Sequence, residues 1–273
     1  MSRRLRLLVA TASVAVVAGA AIPAMAAAAP VITLSGSTSV APLAALLAKG
    51  YLKQYPGRVK FRLAQGGSDV GVADVAAGRV TIGNSSRDPK GSDPGGIFFN
   101  KIAKDAICVV TNPANPLANL SQDQIQGIFS GQIRNWEDIP GAAANGSINL
   151  VVRTAASGTQ DAFQKIFLGS VTVSGAASAK ASNGLVQQTV ASDKNAIGYV
   201  SLDFVKGTSP ASYQGVACNL RNAKSGEYGG VRNFWMVTRG RARKGSPLQK
   251  FLFWVQNSSR AQKIAGTHWV PLK

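Results

Sequence analysis

The sequence predicts an α/β fold built on largely parallel sheets, and three observations predict it. Short apolar runs of strand length alternate with stretches of helical period. Each passage from strand to helix runs through a polar turn rich in Gly, Ser and Thr. The chain has 273 residues, 45% of them hydrophobic, enough for a substantial core or for two lobes. Strand, short turn and helix in repetition make parallel sheets, whose ligand sites gather outside the carboxyl ends of the strands.

The elements follow in order. A basic start (Arg3, Arg4, Arg6), an apolar run from Leu7 to about Ile22 and the small-residue pattern Ala24-Met25-Ala26 predict a secretory signal peptide over 1–26. The protein is therefore expected to be exported, to a periplasm or to the extracellular surface. Val31-Ile32-Thr33-Leu34 reads as a strand. It enters the turn Ser35-Gly36-Ser37-Thr38-Ser39 and then a helix from about Ala41 to Tyr55. Leu43, Leu46, Leu47 and Tyr51 give that helix its period, and Pro42 is tolerated in its first turn. Val59–Leu63 alternates as a strand; Gln65-Gly66-Gly67-Ser68-Asp69 opens a helix over about 70–77. Val80–Gly83 is a strand closed by Asn84-Ser85-Ser86-Arg87-Asp88-Pro89. A longer strand is expected over 102–111 and a helix over 121–129. Further on come a helix near 183–191, strands at 196–200 and 234–238, and an apolar-rich helix over 248–256.

The most telling passage is Arg153-Thr154-Ala155-Ala156-Ser157-Gly158-Thr159. It follows the strand Ile148–Val152 and precedes a helix over 160–168 with Phe163, Ile166 and Phe167 on one face. A helix start exposes unpaired N–H groups and a partial positive charge, and Arg adds a forked donor suited to tetrahedral oxyanions. The passage therefore suggests a small-anion cradle, and the turn at 37–39 repeats its logic. Ser and Thr ahead of helices also serve as plain caps, and both readings stand at this point.

Lys and Arg number 30 against 12 Asp and Glu, a formal net charge of +18. Such an excess suits an anionic partner of some kind, but no basic stripe interleaved with aromatics marks a nucleic-acid module. The densest basic patch, Arg239, Arg241, Arg243 and Lys244, is either a solvated loop or a docking point for an acidic polymer. Cys108 and Cys218 lie in apolar segments; a disulfide and two buried thiols both fit. The single histidine, His268, sits near the C-terminus, and no His/Cys/Asp/Glu spacing marks a metal.

Taken in order, six segments resemble the PstS-like phosphate-binding proteins of bacterial phosphate ABC transporters, a type II periplasmic-binding-protein-like family. They are Gly36–Leu43; Gly66-Gly67-Ser68 with Val70-Gly71; Ile82–Arg87; Ile125–Gly131 through Asn135-Trp136; Arg153–Thr159 with Phe163; and Ala196–Val200. The resemblance implies two α/β lobes, 31–108 plus 233–273 and 109–232, closing on one phosphate ion. It implies ligand contacts from Thr38, Ser39, Ser68, Ser86, Arg87, Arg153, Ser157, Gly158 and Thr159. It also implies a membrane permease as partner, a monomer, and no metal, cofactor, nucleic acid or catalytic residue. The sequence departs from the family at Thr81 and at Gln160. It also departs at Ala155, where some members carry an Asp able to accept the ligand's proton. Asp69 is the remaining candidate acceptor, or else an acid placed to suit a helix start. A binder of a sulfate-like oxyanion, a surface protein for anionic polymers and a secreted phosphatase are the alternatives. The last lacks a base beside Ser157.

Overall fold

The computed structural model describes residues 28–273; the expected signal peptide lies outside them. Chain order gives β1 (Val31–Gly36), α1 (Ala41–Gln54), β2 (Lys60–Leu63), α2 (Ser68–Ala76), β3 (Ile82–Ser85) and β4 (Ile97–Thr111). Then come β5 (Asn119–Leu120), α3 (Gln122–Ser130), β6 (Asn149–Arg153), α4 (Gly158–Phe163), β7 (Ser178–Lys180), α5 (Asn183–Ser192) and β8 (Ala196–Ser201). The remainder is β9 (Ser209–Pro210), β10 (Ser212–Tyr213), α6 (Leu220–Ser225), β11 (Val231–Arg239), α7 (Pro247–Asn257) and α8 (Ser259–Ala265).

The sheet runs β2-β1-β3-β11-β4-β8-β6-β7. Its two ends are parallel, β2-β1-β3 on one side and β8-β6-β7 on the other. In the middle, β4 and β11 run antiparallel to their neighbours. Strand β4 carries the chain from one half to the other. It pairs with β11 through Ala106 and with β8 from Ile107 onward.

The cores divide at the same place. Leu34, Leu43, Ile82, Phe234, Phe251 and Trp254 belong to one buried cluster. Ile107, Ile128, Phe129, Phe163, Val186 and Tyr199 belong to another. Ala106, Ile107 and Cys108 already pack in the second cluster, so the change of core comes slightly before residue 108. Cys108 and Cys218 form a disulfide with a Cα separation of 5.6 Å, inside that second cluster.

Local chemistry explains the helix starts. Ser121 and Gln124 form a reciprocal capping box ahead of α3. Ser182 caps α5, and Ser246 with Pro247 starts α7. Several elements differ from expectation. Helix α2 begins two residues early, with Ser68 inside it, and β4 begins at Ile97. The helix after Arg153 is α-helical only through Phe163 and continues as a π-turn over Gln164–Leu168. Every polar turn singled out above ends a parallel strand, so the starts of α1, α2 and α4 and the end of β3 face one region.

Candidate functional site

The turn after β1 and the start of α4 meet there, although 120 residues separate them. Ser39 Oγ lies 3.0 Å from Thr159 Oγ1. Arg153 Nη2 donates to Thr38 Oγ1 at 3.2 Å, and its Nη1 to Thr159 Oγ1 at 3.4 Å. Nε donates to the main-chain carbonyl of Lys180, and Nη2 also to that of Ala181. Arg153 is 3% exposed, and among the described residues no carboxylate pairs with it. Burial, with a further contribution from the nearby Arg232, pushes the guanidinium down to about 10. It is therefore still fully charged at neutral pH. A buried, uncompensated cation among hydroxyl groups is costly unless an anion joins it.

The main chain of Arg153 is fixed from behind. Its N–H donates to Tyr199 Oη at 3.0 Å. That hydroxyl in turn donates to Gln160 Oε1, which gives position 160 a role. The Tyr199 ring stacks on Phe163 with centroids 3.8 Å apart. Ser157 is a true cap, accepting from the amides of Thr159 and Gln160, so its own O–H remains a donor.

A serine cluster adjoins this turn. Ser37 Oγ donates to Ser86 Oγ at 2.9 Å, and the Ser86 amide donates to Ser68 Oγ at 3.0 Å. Gly158 lies against both: a Cβ there would come within 2.8 Å of Ser86 Oγ and 2.9 Å of the Arg87 nitrogen. Thr38, Ser39, Ser68, Ser86, Arg153, Ser157, Gly158 and Thr159 are thus brought together.

Arg87 and Asp69 are arranged otherwise. Arg87 Nε donates to Asp69 at 2.6 Å, and its Nη1 and Nη2 reach Asp93 at 3.0 and 2.5 Å. The guanidinium of Arg87 is engaged by these two carboxylates and by the Asp88 carbonyl, and it is the Arg87 main-chain nitrogen that lies near Gly158. The Asp69 side chain is 42% exposed and held by Arg87, an unsuitable place for an acceptor of a buried ligand proton.

Three residues at the site were not anticipated. Asn183, at the start of α5, donates from Nδ2 to both Thr38 Oγ1 and Ser39 Oγ, at 3.1 and 2.8 Å. Arg232 donates to Ser39 Oγ at 2.9 Å and to Asp105 Oδ2 at 2.8 Å. Arg232 and Asp105 stand opposite each other in the β11–β4 ladder, both buried. Burial pushes the Asp105 carboxyl up and the Arg232 guanidinium down, and their mutual attraction opposes both shifts. A signal existed: alternation in β11 puts Arg232 on the face of Phe234 and Met236. An Arg on a core face implies a buried partner.

A family model described as the PBP superfamily domain matches residues 23–257. The chain belongs to this superfamily. Among its relatives is the phosphate-binding protein PstS of Bacillus subtilis, 29% identical over 202 residues, covering 72% of this chain and 66% of the relative. The chain thus spans just under two thirds of that relative's length, and 54% of two staphylococcal relatives of the same name. Among PBP-fold crystal structures, a putative phosphate ABC transporter substrate-binding protein of Clostridium perfringens with bound phosphate is 29% identical, with a TM-score of 0.82. That alignment covers 89% of this chain and all of the other. An ABC-type phosphate transport receptor of Vibrio cholerae is 27% identical, with a TM-score of 0.69, covering 88% of this chain and 99% of the other. The two-lobed architecture of these PBP-superfamily proteins agrees with the two cores joined along β4.

Proposed function

We propose that this protein captures inorganic phosphate between its two lobes and delivers it to an ABC permease, acting as an exported binding protein. One observation carries the reading: Arg153 is buried and charged, has no carboxylate partner among the described residues, and sits among the hydroxyls of Thr38, Ser39 and Thr159. Such donors bind a dehydrated oxyanion without a metal. Phosphate is favoured over other oxyanions because the relatives above carry it in their names and one structure holds it. We assign the lobes to 31–108 plus 233–273 and to 109–232, with β4 and the chain entering β11 as crossings. Bonds across the cleft, such as Lys90–Asp161 at 2.5 Å and the Asp69 amide to the Ala156 carbonyl at 3.1 Å, hold the lobes together over the site.

A binding role suits the side chains better than phosphatase chemistry. Ser157 is engaged as a helix cap, and His268 pairs with Asp203 instead of a site hydroxyl. The test is calorimetric titration with phosphate. Wild type should bind with a one-to-one stoichiometry. Arg153→Ala should lose about 2–5 kcal/mol of binding, as expected for a desolvated charged contact. Absence of heat and of any thermal shift with phosphate would reject the assignment.

A further inference from the structure

Asn183 is held in one orientation. Its Oδ1 accepts from the main-chain N–H of Ser201 at 3.1 Å, and a peptide N–H can only donate. The amide cannot flip without losing that bond, so its Nδ2 hydrogens must point at Thr38 Oγ1 and Ser39 Oγ. A hydroxyl has two acceptor sites and one proton. On Thr38 both acceptor sites are filled, by Asn183 and by Arg153 Nη2. On Ser39 both are filled too, by Asn183 and by Arg232 Nη2. Amide and guanidinium nitrogens never accept, so both hydroxyls are left with one role, to donate. Ser39 spends its proton on Thr159 Oγ1, which also receives Arg153 Nη1. Thr159 is then a donor as well. Among the described residues, no protein acceptor takes the protons of Thr38 and Thr159.

We propose that Asn183, fixed by the Ser201 amide, is a specificity-determining positioning residue that forces Thr38 directly, and Thr159 through Ser39, to act on the bound anion as donors only. The proposal rests on the phosphate-binding reading above. It gives the site selectivity without a carboxylate: Thr38 and Thr159 offer protons to acceptor oxygens and reject a ligand oxygen that carries its own proton at those two positions. Two donors facing each other would leave both unpaired in a dry site, which is expensive.

The substitution Asn183→Asp reverses the pattern at constant shape. Both carboxylate oxygens accept, so Thr38 and Ser39 must donate to residue 183; Thr38 regains a lone pair toward the ligand, and Thr159 then donates to Ser39 and turns its own second lone pair toward the ligand. A phosphate that keeps a proton can use that lone pair; sulfate has no proton to give. Phosphate and sulfate are each titrated against wild type, Asn183→Asp and Asn183→Ala, with melting curves to establish folding. The Asp variant should weaken both anions, and the sulfate loss should exceed the phosphate loss by at least about tenfold, the worth of one buried hydrogen bond. The Ala variant frees one lone pair on each hydroxyl without adding charge. It should shift the ratio the same way by a smaller factor, and it decides the matter if the Asp variant does not fold. Equal losses for the two anions in the folded variants would mean that Asn183 only ties the lobes together, and would overturn the proposal. Wild type that binds neither anion would instead overturn the phosphate reading on which it rests.

Discussion

A β-carbon at position 158 would enter the contact shell of Ser68 Oγ, Ser86 Oγ and the Arg87 nitrogen together, and two of these belong to short, hydrogen-bonded turns with little room to yield. Glycine is thus required where α4 meets the serine cluster, for space and not for backbone freedom, since its φ is ordinary. Gly158→Ala should leave the ligand-free melting temperature within a few degrees, because either lobe alone accommodates a methyl group at a helix start. It should lower phosphate affinity at least about tenfold, because the lobes can no longer close to contact distance; a titration beside a melting curve separates the two. At this scale the sequence was legible where a residue's role is local. Arg153, Ser157 and Thr159 lie within one strand–turn–helix passage, and their chemistry is visible in it. Arg232 and Asp105 are 127 positions apart, and only the β11–β4 register puts them opposite each other. Arg87 misled for the same reason. The resemblance implies a ligand contact for Arg87, whereas Asp93 turns back on it six residues later.

Helix α2 shows how an element carries a site residue. Gly71 on the helix lies directly against Gly36 and Gly83 on β1 and β3, close enough that a Cβ at any of the three would strike main chain. That contact seats the helix start, and with it Ser68, over the end of β3. The loop beyond β3 is then held by the Arg87–Asp93 pair. Burial alone would raise the Asp93 carboxyl, but the hydrogen bonds from Arg87 and the Lys90 amide outweigh it and hold it below its ordinary value. A depressed carboxylate stabilises the fold above its unfolded pKa, and that stabilisation disappears as the pH falls through the folded value. Asp93→Asn should therefore lower the melting temperature at pH 7 and flatten its decline on the acid side. Parallel acid limbs for variant and wild type would assign the acid sensitivity to other groups. Long elements were legible, α1 and α7 from their helical period and β6 and β8 as short apolar runs buried on both faces. Strands β5, β9 and β10 have two residues each, too few to show a period. The early starts of α2 and β4 come from tertiary contacts that no local pattern records.

For the whole molecule, the charge excess and the disulfide raise separate questions. The patch at Arg239, Arg241, Arg243 and Lys244 is exposed, with Arg241 over the Phe98 ring at 4.3 Å, on the half that holds α1 and α7. It is not part of the proposed anion site, where the charged side chains are Arg153 and the paired Arg232. The Cys108–Cys218 bond closes a long loop, yet both its ends lie in one core cluster, just past the point where β4 changes partners. A cross-link of that span restricts the unfolded chain and is typically worth about 2–4 kcal/mol. Because it does not tie the two cores to each other, it should leave the closing of the cleft almost untouched. The donors proposed above to hold the ligand come from both sides, Thr38 and Ser39 from one and Arg153, Thr159 and Asn183 from the other. The paired variant Cys108→Ala with Cys218→Ala should therefore melt several degrees lower while binding phosphate within about threefold of wild type. Loss of affinity beyond tenfold, with the fold intact by circular dichroism, would show the opposite coupling. The bond would then set the path of β4 at the crossing, and the spacing of the two donor sets with it.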